Sequence, residues 1–263
     1  MPTASSTDNA LVCRLPPESR LLLIVLGGVG GAALPHLAVF LHNLRIPLRL
    51  LLVDGDAYQP ADARRQIFSA LGNKAEIKAA ETIAWLGDSD VAIVPVPEYV
   101  TGENVGRLIR DGDCVFLCVD NHPTRKLVSD RCGTLDRAAL FSGGNDGVDP
   151  PRERGTYGNV QIALRRGGQD LTMPLTCLHP EIANPQGSPP GGPNCGQLAV
   201  SLPQIGLTNL AVASALLSAF FAYACGRLTY QEVQFDILDA RMLPQFPLAT
   251  PAGPASGIES HVR

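Results

Sequence analysis

The chain has 263 residues, of which 45% are hydrophobic and 17% charged, and this is enough material for one sizeable core. Its formal net charge is −4 and no block of Lys and Arg stands out, which argues against nucleic-acid binding driven by phosphate neutralisation. The N-terminal residues lack a basic start followed by an apolar stretch, so no secretory signal is predicted. Seven cysteines, an odd number, favour a reduced cytoplasmic protein over a disulfide-linked scaffold.

Predicted strands and helices alternate over the first half of the chain. Continuous apolar runs, typical of strands buried on both faces, predict strands at 21–26, 48–53, 91–96, 114–119 and 139–142. Helices are predicted between them at 32–44, 69–85, 102–109 and 123–132. This alternation predicts an α/β fold with a Rossmann-like, doubly wound, mostly parallel sheet. In such a sheet, ligands bind at the edge where the strands end.

The second half of the chain has a different character. An antiparallel strand is predicted at 158–165, and a long Pro/Gly-rich loop with two cysteines follows at 173–197. An apolar helix is predicted at 207–228 and a final strand at 233–238. These elements predict an antiparallel C-terminal extension of the sheet.

Three parts of the chain are expected: an N-terminal arm at 1–19, one domain at 20–246, and a disordered tail at 247–263 that is rich in Pro, Ala, Gly and Ser. Within the domain, the stretch 207–225 is nearly as long as a membrane-spanning helix. Because it holds several Thr, Asn and Ser residues and lacks basic anchors on both flanks, we interpret it as a core or dimer-interface helix, with no membrane partner.

Glycines mark the end of the first predicted strand. Gly27, Gly28 and Gly30 follow the strand and open a helix, whose N-terminal N–H groups and dipole favour phosphate. Asp54 ends the next strand 24 residues beyond Gly30, where an acid commonly binds a ribose hydroxyl. NAD and ATP fit this pattern equally well, and a tight turn with a loop aspartate and no ligand stays open.

Charged residues near the same edge favour phosphate chemistry over hydride transfer. Arg65 and Lys74 can neutralise a triphosphate, and Asp120, at the end of the fourth strand, can hold Mg²⁺. Taken singly, Arg65 and Lys74 would read as solvated surface charges. Together with two strand-end aspartates they indicate a nucleoside triphosphate site.

With these residues the chain resembles the ThiF/MoeB/HesA family, the bacterial relatives of ubiquitin-activating enzymes. The family pattern reads roughly G-x-G-G-x-G, D-x-D, S-N-L-x-R-Q, a Lys, and T-D-N-x-x-x-R. The matching residues are, in chain order, Gly27, Gly28, Gly30, Asp54, Asp56, Arg65, Gln66, Lys74, Asp120, Asn121 and Arg125. Val25 stands where the first glycine is expected, Asp62 replaces the usual Asn, and Lys74 follows at a shorter spacing.

The resemblance implies ATP and Mg²⁺ as cofactors and assigns a role to each matching residue. Asp54 would bind the ribose, Arg65 and Lys74 would contact the phosphates, and Asp120 would hold Mg²⁺. The remaining matches would line the nucleotide site: Gly27, Gly28, Gly30, Asp56, Gln66, Asn121 and Arg125. The family activates a protein's C-terminal carboxylate by attack on the α-phosphate of ATP, which yields an acyl-adenylate and pyrophosphate.

The cysteines separate this chain from zinc-binding relatives. Many relatives hold structural zinc in two C-x-x-C pairs, but here Pro174 stands where a partner for Cys177 is expected, so no structural zinc is expected. Cys114 and Cys118 are predicted to be core thiols on one face of a strand. Cys195, in GGPNCGQ before the apolar helix, resembles the cysteine that forms a covalent thioester in some relatives. An ordinary loop cysteine is the alternative.

The favoured function is ATP-dependent activation of a ubiquitin-like protein, followed by a thioester on Cys195 and transfer to a conjugating enzyme. Adenylation of a sulfur-carrier protein for thiamine- or molybdopterin-type sulfur transfer, an NAD-dependent oxidoreductase, and a non-catalytic binding module stay open. The apolar helix favours a homodimer with a core-like interface. His122 and His179 are interpreted as loop histidines.

Overall fold

The computed structural model describes residues 12–64, 66–149, 153–186 and 205–247. In chain order the strands are β1 (Arg20–Ile24), β2 (Leu48–Val53), β3 (Ala57–Tyr58), β4 (Gly72–Asn73), β5 (Val91–Val96), β6 (Cys114–Leu117), β7 (Ala138–Asn145), β8 (Val148–Asp149), β9 (Glu153–Arg154), β10 (Tyr157–Arg166), β11 (Gln169–Asp170), β12 (Glu232–Asp236) and β13 (Arg241–Gln245). The helices are α1 (Gly28–Asn43), α2 (Lys74–Leu86), α3 (Val105–Leu108), α4 (His122–Gly133), α5 (Leu175–Leu178), α6 (Pro180–Ala183) and α7 (Gly206–Ala224), and a 3₁₀ helix spans Pro60–Arg64.

A mixed sheet of nine strands forms the centre of the fold. Its parallel half has the order β5-β2-β1-β6-β7, and β10, β12 and β13 continue it as antiparallel strands, with β11 paired to β10. The strand order reverses at β1, which lies between β2 and β6, and ligands bind at such a reversal in open α/β sheets. The predicted Rossmann-like fold with an antiparallel C-terminal extension is therefore confirmed.

Helices cover both faces of the sheet, so the central strands are apolar on both sides. In β1, Leu21 and Leu23 enter the core cluster that contains α1 and α7, whereas Leu22 and Ile24 enter the cluster on the α4 face. Cys114 and Cys118 are both buried in the first cluster, as predicted for core thiols.

The helix α7 is long and apolar enough to cross a membrane when judged by length and composition alone. Half of its most apolar window is buried in the fold, where it packs against α1, β7 and β10. Aromatic rings add to this contact, because Phe220 meets Phe116 and Phe141 edge to face at centroid distances of 5.0 and 5.9 Å. This placement is that of a core helix.

Two expectations for the second half of the chain were wrong. The strand at 233–238 is not the last, because β13 follows it and pairs with β12 along the edge of the sheet. All five residues of β13 are exposed, so they carry none of the alternation that marks a half-buried strand. The loop at 173–197 begins with α5 and α6, each of four residues and too short for a periodic signal. From residue 248 onward, the predicted tail lies outside the described residues.

Helix starts also differ from the predicted ones. The helix predicted from residue 32 already begins at Gly28, because the glycine turn forms its first turn and carries no apolar pattern. The helix predicted from residue 69 begins only at Lys74, where Asn73 caps it. The described part of the predicted N-terminal arm lies against the domain: the Arg14 amide donates to the Ala224 carbonyl at 2.8 Å, and Leu15 is buried.

Candidate functional site

The turn between β1 and α1 brings two backbone segments into close contact. A Cβ atom on Gly30 would lie 2.0 Å from the Val25 carbonyl oxygen, and one on Gly28 would lie 2.1 Å from Nδ2 of Asn209. Glycine is therefore required at position 30, where the neighbour is backbone, whereas a larger residue at position 28 would have to displace the Asn209 side chain. Gly27 is the N-cap of α1 and makes no side-chain capping bond, so the first N–H groups of this 16-residue helix are open to an anion.

Val25 stands where the family pattern has glycine, and it adopts a backbone conformation that favours glycine. Its φ is +68°, in the left-handed region that a β-branched residue rarely enters. Its amide nevertheless continues the sheet and donates to the Val53 carbonyl at 2.8 Å. The turn therefore holds a valine in a conformation that is strained for it.

Asp54 is buried and braces the turn. Its carboxylate accepts the Leu26 amide at 2.7 Å and the Asp56 amide at 2.9 Å, and only 2% of the residue is exposed. Burial raises the pKa of Asp54, and the two amides and nearby Lys74 oppose that effect. Both carboxylate oxygens therefore face the protein backbone.

Asp56 is the more open of the paired acids. Its side chain is 45% exposed, and its two oxygens bind Nζ of Lys74 at 3.1 Å and the hydroxyl of Tyr99 at 2.5 Å. Lys74 is the first residue of α2 and is itself 7% exposed, with its ammonium 5.9 Å from the centre of the Tyr58 ring. A carboxylate and an ammonium group thus form an ion pair beyond the end of β2.

Three matching residues follow β6. Asp120 is exposed and forms no hydrogen bond or ion pair within the described parts of the chain. Asn121 caps α4 by accepting the Thr124 amide at 2.9 Å. Arg125 is buried and donates to the Ser142 hydroxyl and the Val119 carbonyl at 2.7 Å and to the Gly143 carbonyl at 3.0 Å. It joins the ends of β6 and β7, and burial lowers its pKa.

The sheet brings most of these residues to one edge. The glycine turn follows β1, which lies between β2 and β6. Neighbouring strands are ~5 Å apart, so the strand end before Asp56 and Lys74 and the strand end before Asp120 each lie about that distance from the end of β1. Arg65 and Cys195 lie outside the described residues. Gln66 is at the same end of β2, and its buried Oε1 has no partner among the described residues.

Sequence reasoning missed three residues that shape this edge. Tyr99 follows β5, so its position after a strand was a usable signal. Asn73 donates to the carbonyls of Asp54 and Asp56 at 2.9 and 3.1 Å while capping α2, and its place before a helix indicated the capping role. Asn209 belongs to α7 and reaches Gly28 from far along the chain, which no local pattern predicts.

A polar cavity of about 320 Å³ lies farther along the sheet, beside β7 and β10. Both ring nitrogens of His179 are bonded there, Nδ1 to Glu181 and Nε2 to buried Glu232, each at 2.8 Å. The hydrogen bond with Glu232 raises the pKa of His179 against the effect of burial, and Glu181 adds to the increase. His179 lies between α5 and α6, as a loop histidine would. Its hydrogen bonds to two glutamates were not expected.

Burial acts to raise the pKa of Glu232, but its hydrogen bonds with His179 and Asn159 outweigh burial and leave the pKa below its usual value. Burial lowers the pKa of His122, which also lines the cavity, and the positive charge of Arg125 lowers it further. Among the described residues, no group of three or more His, Cys, Asp or Glu side chains is arranged to hold a metal ion by itself.

Comparison with known proteins gives a consistent result. The model of the ThiF family matches residues 17–252. Protein HesA of Leptolyngbya boryana is 29% identical over 163 residues, which are 61% of this chain and 52% of HesA. The SAMP-activating enzyme E1 of Haloferax volcanii is 26% identical over 246 residues, 90% of this chain and 82% of that enzyme. The chain thus spans about half the length of HesA but most of the archaeal enzyme.

Solved structures show the same fold at low sequence identity. E. coli MccB, solved with ATP, aligns with a TM-score of 0.60 and 14% identity over 91% of this chain and 67% of its own. PaaA aligns with a TM-score of 0.61 and 15% identity, over 87% and 64% of the two chains. The resemblance inferred from the motifs is thereby confirmed at the level of family and fold.

Proposed function

Because the chain belongs to the ThiF family, we propose that it is an ATP-dependent adenylyltransferase that activates the C-terminal carboxylate of a ubiquitin-like or sulfur-carrier protein. The observation that carries this proposal is the strand edge at the order reversal of the sheet. An uncapped helix N-terminus, a lysine and an unpaired carboxylate come together there. Hydride transfer has no need of both Lys74 and Asp120 at this edge, whereas a triphosphate with Mg²⁺ uses both charges.

The phosphates of ATP would lie on the N-terminus of α1, where Gly27 leaves room and the helix dipole favours negative charge. Lys74 would add its charge from one side, and we assign Arg65 to the phosphates as well, on the motif alone. Of the paired acids, Asp56 is exposed enough to meet the ribose, whereas Asp54 is engaged with backbone amides. We therefore move the ribose role from Asp54 to Asp56.

A magnesium ion fits this site. Mg²⁺ in phosphate sites uses one or two carboxylates together with phosphate oxygens and water, and Asp120 offers an exposed, unpaired carboxylate. When bound, the ion would neutralise charge that develops on the leaving pyrophosphate. Asn121 would orient Asp120 through the start of α4, and Arg125 would hold the ends of β6 and β7 in place.

The chemistry proposed is an in-line attack. A carboxylate oxygen of the substrate forms a bond to the α-phosphorus, and the bond to the bridging oxygen of pyrophosphate breaks. A carboxylate is already ionised at pH 7, so no general base is required. The enzyme contributes positioning and charge neutralisation.

For the step after adenylation, we propose that Cys195 attacks the acyl-adenylate and forms a thioester with release of AMP, before transfer to a conjugating enzyme. The support is the sequence alone: an Asn-Cys-Gly segment at the end of a Pro/Gly-rich stretch. A reducing compartment such as the cytoplasm would keep this thiol free.

We also propose that the enzyme is a homodimer that uses the outer faces of α1 and α7. A groove of about 570 Å³ lies between these helices, and its lining is apolar except for His36 and two serines. Leu207, Leu210 and Phe221 of α7 are exposed around it. A contiguous uncharged patch of this kind is typical of an interface core.

The proposed activity is tested by ATP–pyrophosphate exchange with purified small β-grasp proteins as substrates. Exchange with at least one of them is expected, and Asp120→Ala is expected to abolish it. Asp130→Ala, which removes an exposed acid at the far end of α4, is the control and should keep full activity. Cys195→Ala should retain exchange while losing any thioester. Exchange that survives in Asp120→Ala would refute the magnesium assignment, and NADH oxidation without exchange would refute the function.

A further inference from the structure

A row of polar side chains crosses three strands on the α4 face of the sheet. In the strand register, Ser142 of β7 is opposite Gln161 of β10, and Gln161 is opposite Glu232 of β12. All three residues are buried, with exposed fractions of 0%, 1% and 1%. Gln161 lines the polar cavity of about 320 Å³ described above.

The outer members of this row have partners. The Ser142 hydroxyl accepts a hydrogen bond from Arg125 at 2.7 Å. Glu232 is bonded to His179 and accepts Nδ2 of Asn159 at 3.0 Å.

The middle member has no partner in the part of the chain that the structure describes. Neither Oε1 nor Nε2 of Gln161 forms a hydrogen bond to any described residue. Because both atoms are unpaired, exchanging the oxygen and nitrogen assignments would not change this result. A buried amide without partners is costly, and such groups in native proteins are usually satisfied by a ligand or by water.

The charged groups around the cavity are already engaged. Both oxygens of Asp146 accept backbone amides, from Gly155 and Tyr157 at 3.3 and 3.0 Å. Glu181 is bonded to His179, and Arg125 is held by its three acceptors. The groups left without partners at Gln161 are therefore a neutral NH₂ donor and a neutral carbonyl acceptor. An amide group satisfies both at once, whereas a carboxylate can only accept and an ammonium can only donate.

The cavity adjoins the nucleotide edge. Its lining includes Gly144 and Asn145 at the end of β7 and His122 and Arg125 of α4, so it begins one strand beyond the Asp120 position. A chain whose terminal carboxylate reached the α-phosphate at the β1–β6 edge could therefore lay its preceding residues over this cavity.

We propose that this cavity binds an amide group of the substrate's C-terminal segment and that Gln161 reads it through a paired donor and acceptor. The proposal rests on the function proposed above for its substrate class. The amide comes either from a Gln or Asn side chain or from a peptide group of the segment. A site built to hydrogen-bond a polar group rejects an analogue that lacks it far more strongly than an apolar pocket rejects a change in size.

The first test uses the protein without ligand. Gln161→Met keeps the side-chain shape and removes the unpaired amide, so it is expected to raise Tm by about 3 °C. Gln231→Met is the matched control, because buried Gln231 accepts the Met173 amide at 3.2 Å, and its loss should lower Tm. A fall in Tm for Gln161→Met would mean that Gln161 is a structural residue and would overturn the proposal.

The second test uses acetylated heptapeptides that end in Gly-Gly, with a single Gln moved through an otherwise glycine sequence. Binding is followed by the NMR signals of the Gln161 side-chain amide, which are assigned from their absence in Gln161→Met. At one position of the peptide, we expect Gln to give at least tenfold tighter binding than Met or Glu at the same position. The Gln161→Met protein should lose this preference. If the all-glycine peptide binds equally well and shifts the same signals, the amide that Gln161 recognises is a peptide group of the substrate's main chain. No shift with any peptide would overturn the proposal.

These tests do not depend on catalysis. Absent pyrophosphate exchange together with shifted Gln161 signals would refute the proposed function and leave the cavity assignment standing. Exchange without such shifts would support the proposed function and refute the cavity assignment.

Discussion

The turn after β1 holds a valine in a backbone conformation that favours glycine. Val25 has a φ of +68°, and its carbonyl oxygen lies where only glycine fits at position 30. The left-handed conformation costs roughly 1–2 kcal/mol for a residue with a Cβ. The position of the glycine-rich turn followed from the sequence, but the strain at Val25 did not, because no local pattern reports a φ angle.

This strain can be measured by comparing two substitutions. We expect Val25→Gly to be more stable than Val25→Ala by about 1 kcal/mol, since both lose the valine side chain and only glycine relieves the strain. Urea denaturation of both variants gives the difference.

Val94, in the extended strand β5, is the control position for this comparison. There the order should reverse, with Val94→Gly less stable than Val94→Ala by roughly 0.5–1 kcal/mol. If alanine were the more stable substitution at both positions, Val25 would not be strained.

His179 is expected to make stability depend on pH. Its folded-state pKa is raised above 6.5 by the hydrogen bond with Glu232, and by Glu181 in addition, while burial acts to lower it. His122, the other histidine that lines the cavity, has its own pKa lowered by burial. The stabilising contribution of His179 is therefore fully present below about pH 6.5 and is lost as the pH rises through the folded-state pKa. In urea denaturation between pH 6 and 9, the wild type should lose stability relative to His179→Gln.

His42→Gln, at the C-terminal end of α1 and outside both the cavity and the proposed dimer groove, is the control and should follow the wild type over the same pH range. If stability changed with pH in the same way for the wild type and His179→Gln, the contacts with the two glutamates would not stabilise the protonated imidazole in solution.

At the scale of elements, the junction of β2 and α2 depends on one side chain. Asn73 caps α2 by accepting the Ala75 and Glu76 amides, and its Nδ2 holds the carbonyls of Asp54 and Asp56. The same residue thus starts the helix that carries Lys74 and fixes the strand end opposite it.

Two substitutions separate these roles. Asn73→Ala should cost about 1–2 kcal/mol in urea denaturation, because the cap is lost. Asn73→Asp keeps the capping oxygen and loses the Nδ2 donor, so it should retain most of the stability while weakening Mg-ATP binding, measured by calorimetry. Equal stability losses in both variants would show that the cap is not the stabilising contact.

The elements that were predicted from the sequence and those that were missed differ in length and in burial. The strands β1, β2, β6 and β7 were predicted because their apolar runs are covered on both faces, and the edge strand β5 was predicted because its run is apolar although most of it is not buried. The short hairpin strands and α5 and α6 were missed because two to four residues cannot show a period. The edge strand β13 was missed because it is fully exposed.

At the scale of the whole molecule, the candidate site was predictable where a motif residue follows a parallel strand. Asp56 and Asp120 were found in this way, Lys74 was found through the motif that follows Asp56, and the strand order brings the ends of β2 and β6 to one edge. The polar row through Gln161 was not predictable, because it depends on the registers of antiparallel strands that are distant in sequence.

The proposed dimer gives a prediction for the assembly. Leu210→Arg places a charge on the exposed face of α7, so it should convert dimers to monomers in sedimentation velocity. Leu238→Arg changes a more exposed leucine in the turn after β12 and should leave the assembly unchanged. A wild-type monomer would contradict the proposed dimer.

The central claim is that the ends of β2, β1 and β6 hold Mg-ATP, and calorimetric titration tests it most directly. We predict ATP binding that needs Mg²⁺ and weakens at least tenfold in Lys74→Met and in Asp120→Asn. Lys126→Met, which removes an exposed lysine of α4, should bind normally. NADH should not bind. Binding of NADH, or ATP binding that is unchanged in both site variants, would contradict the account.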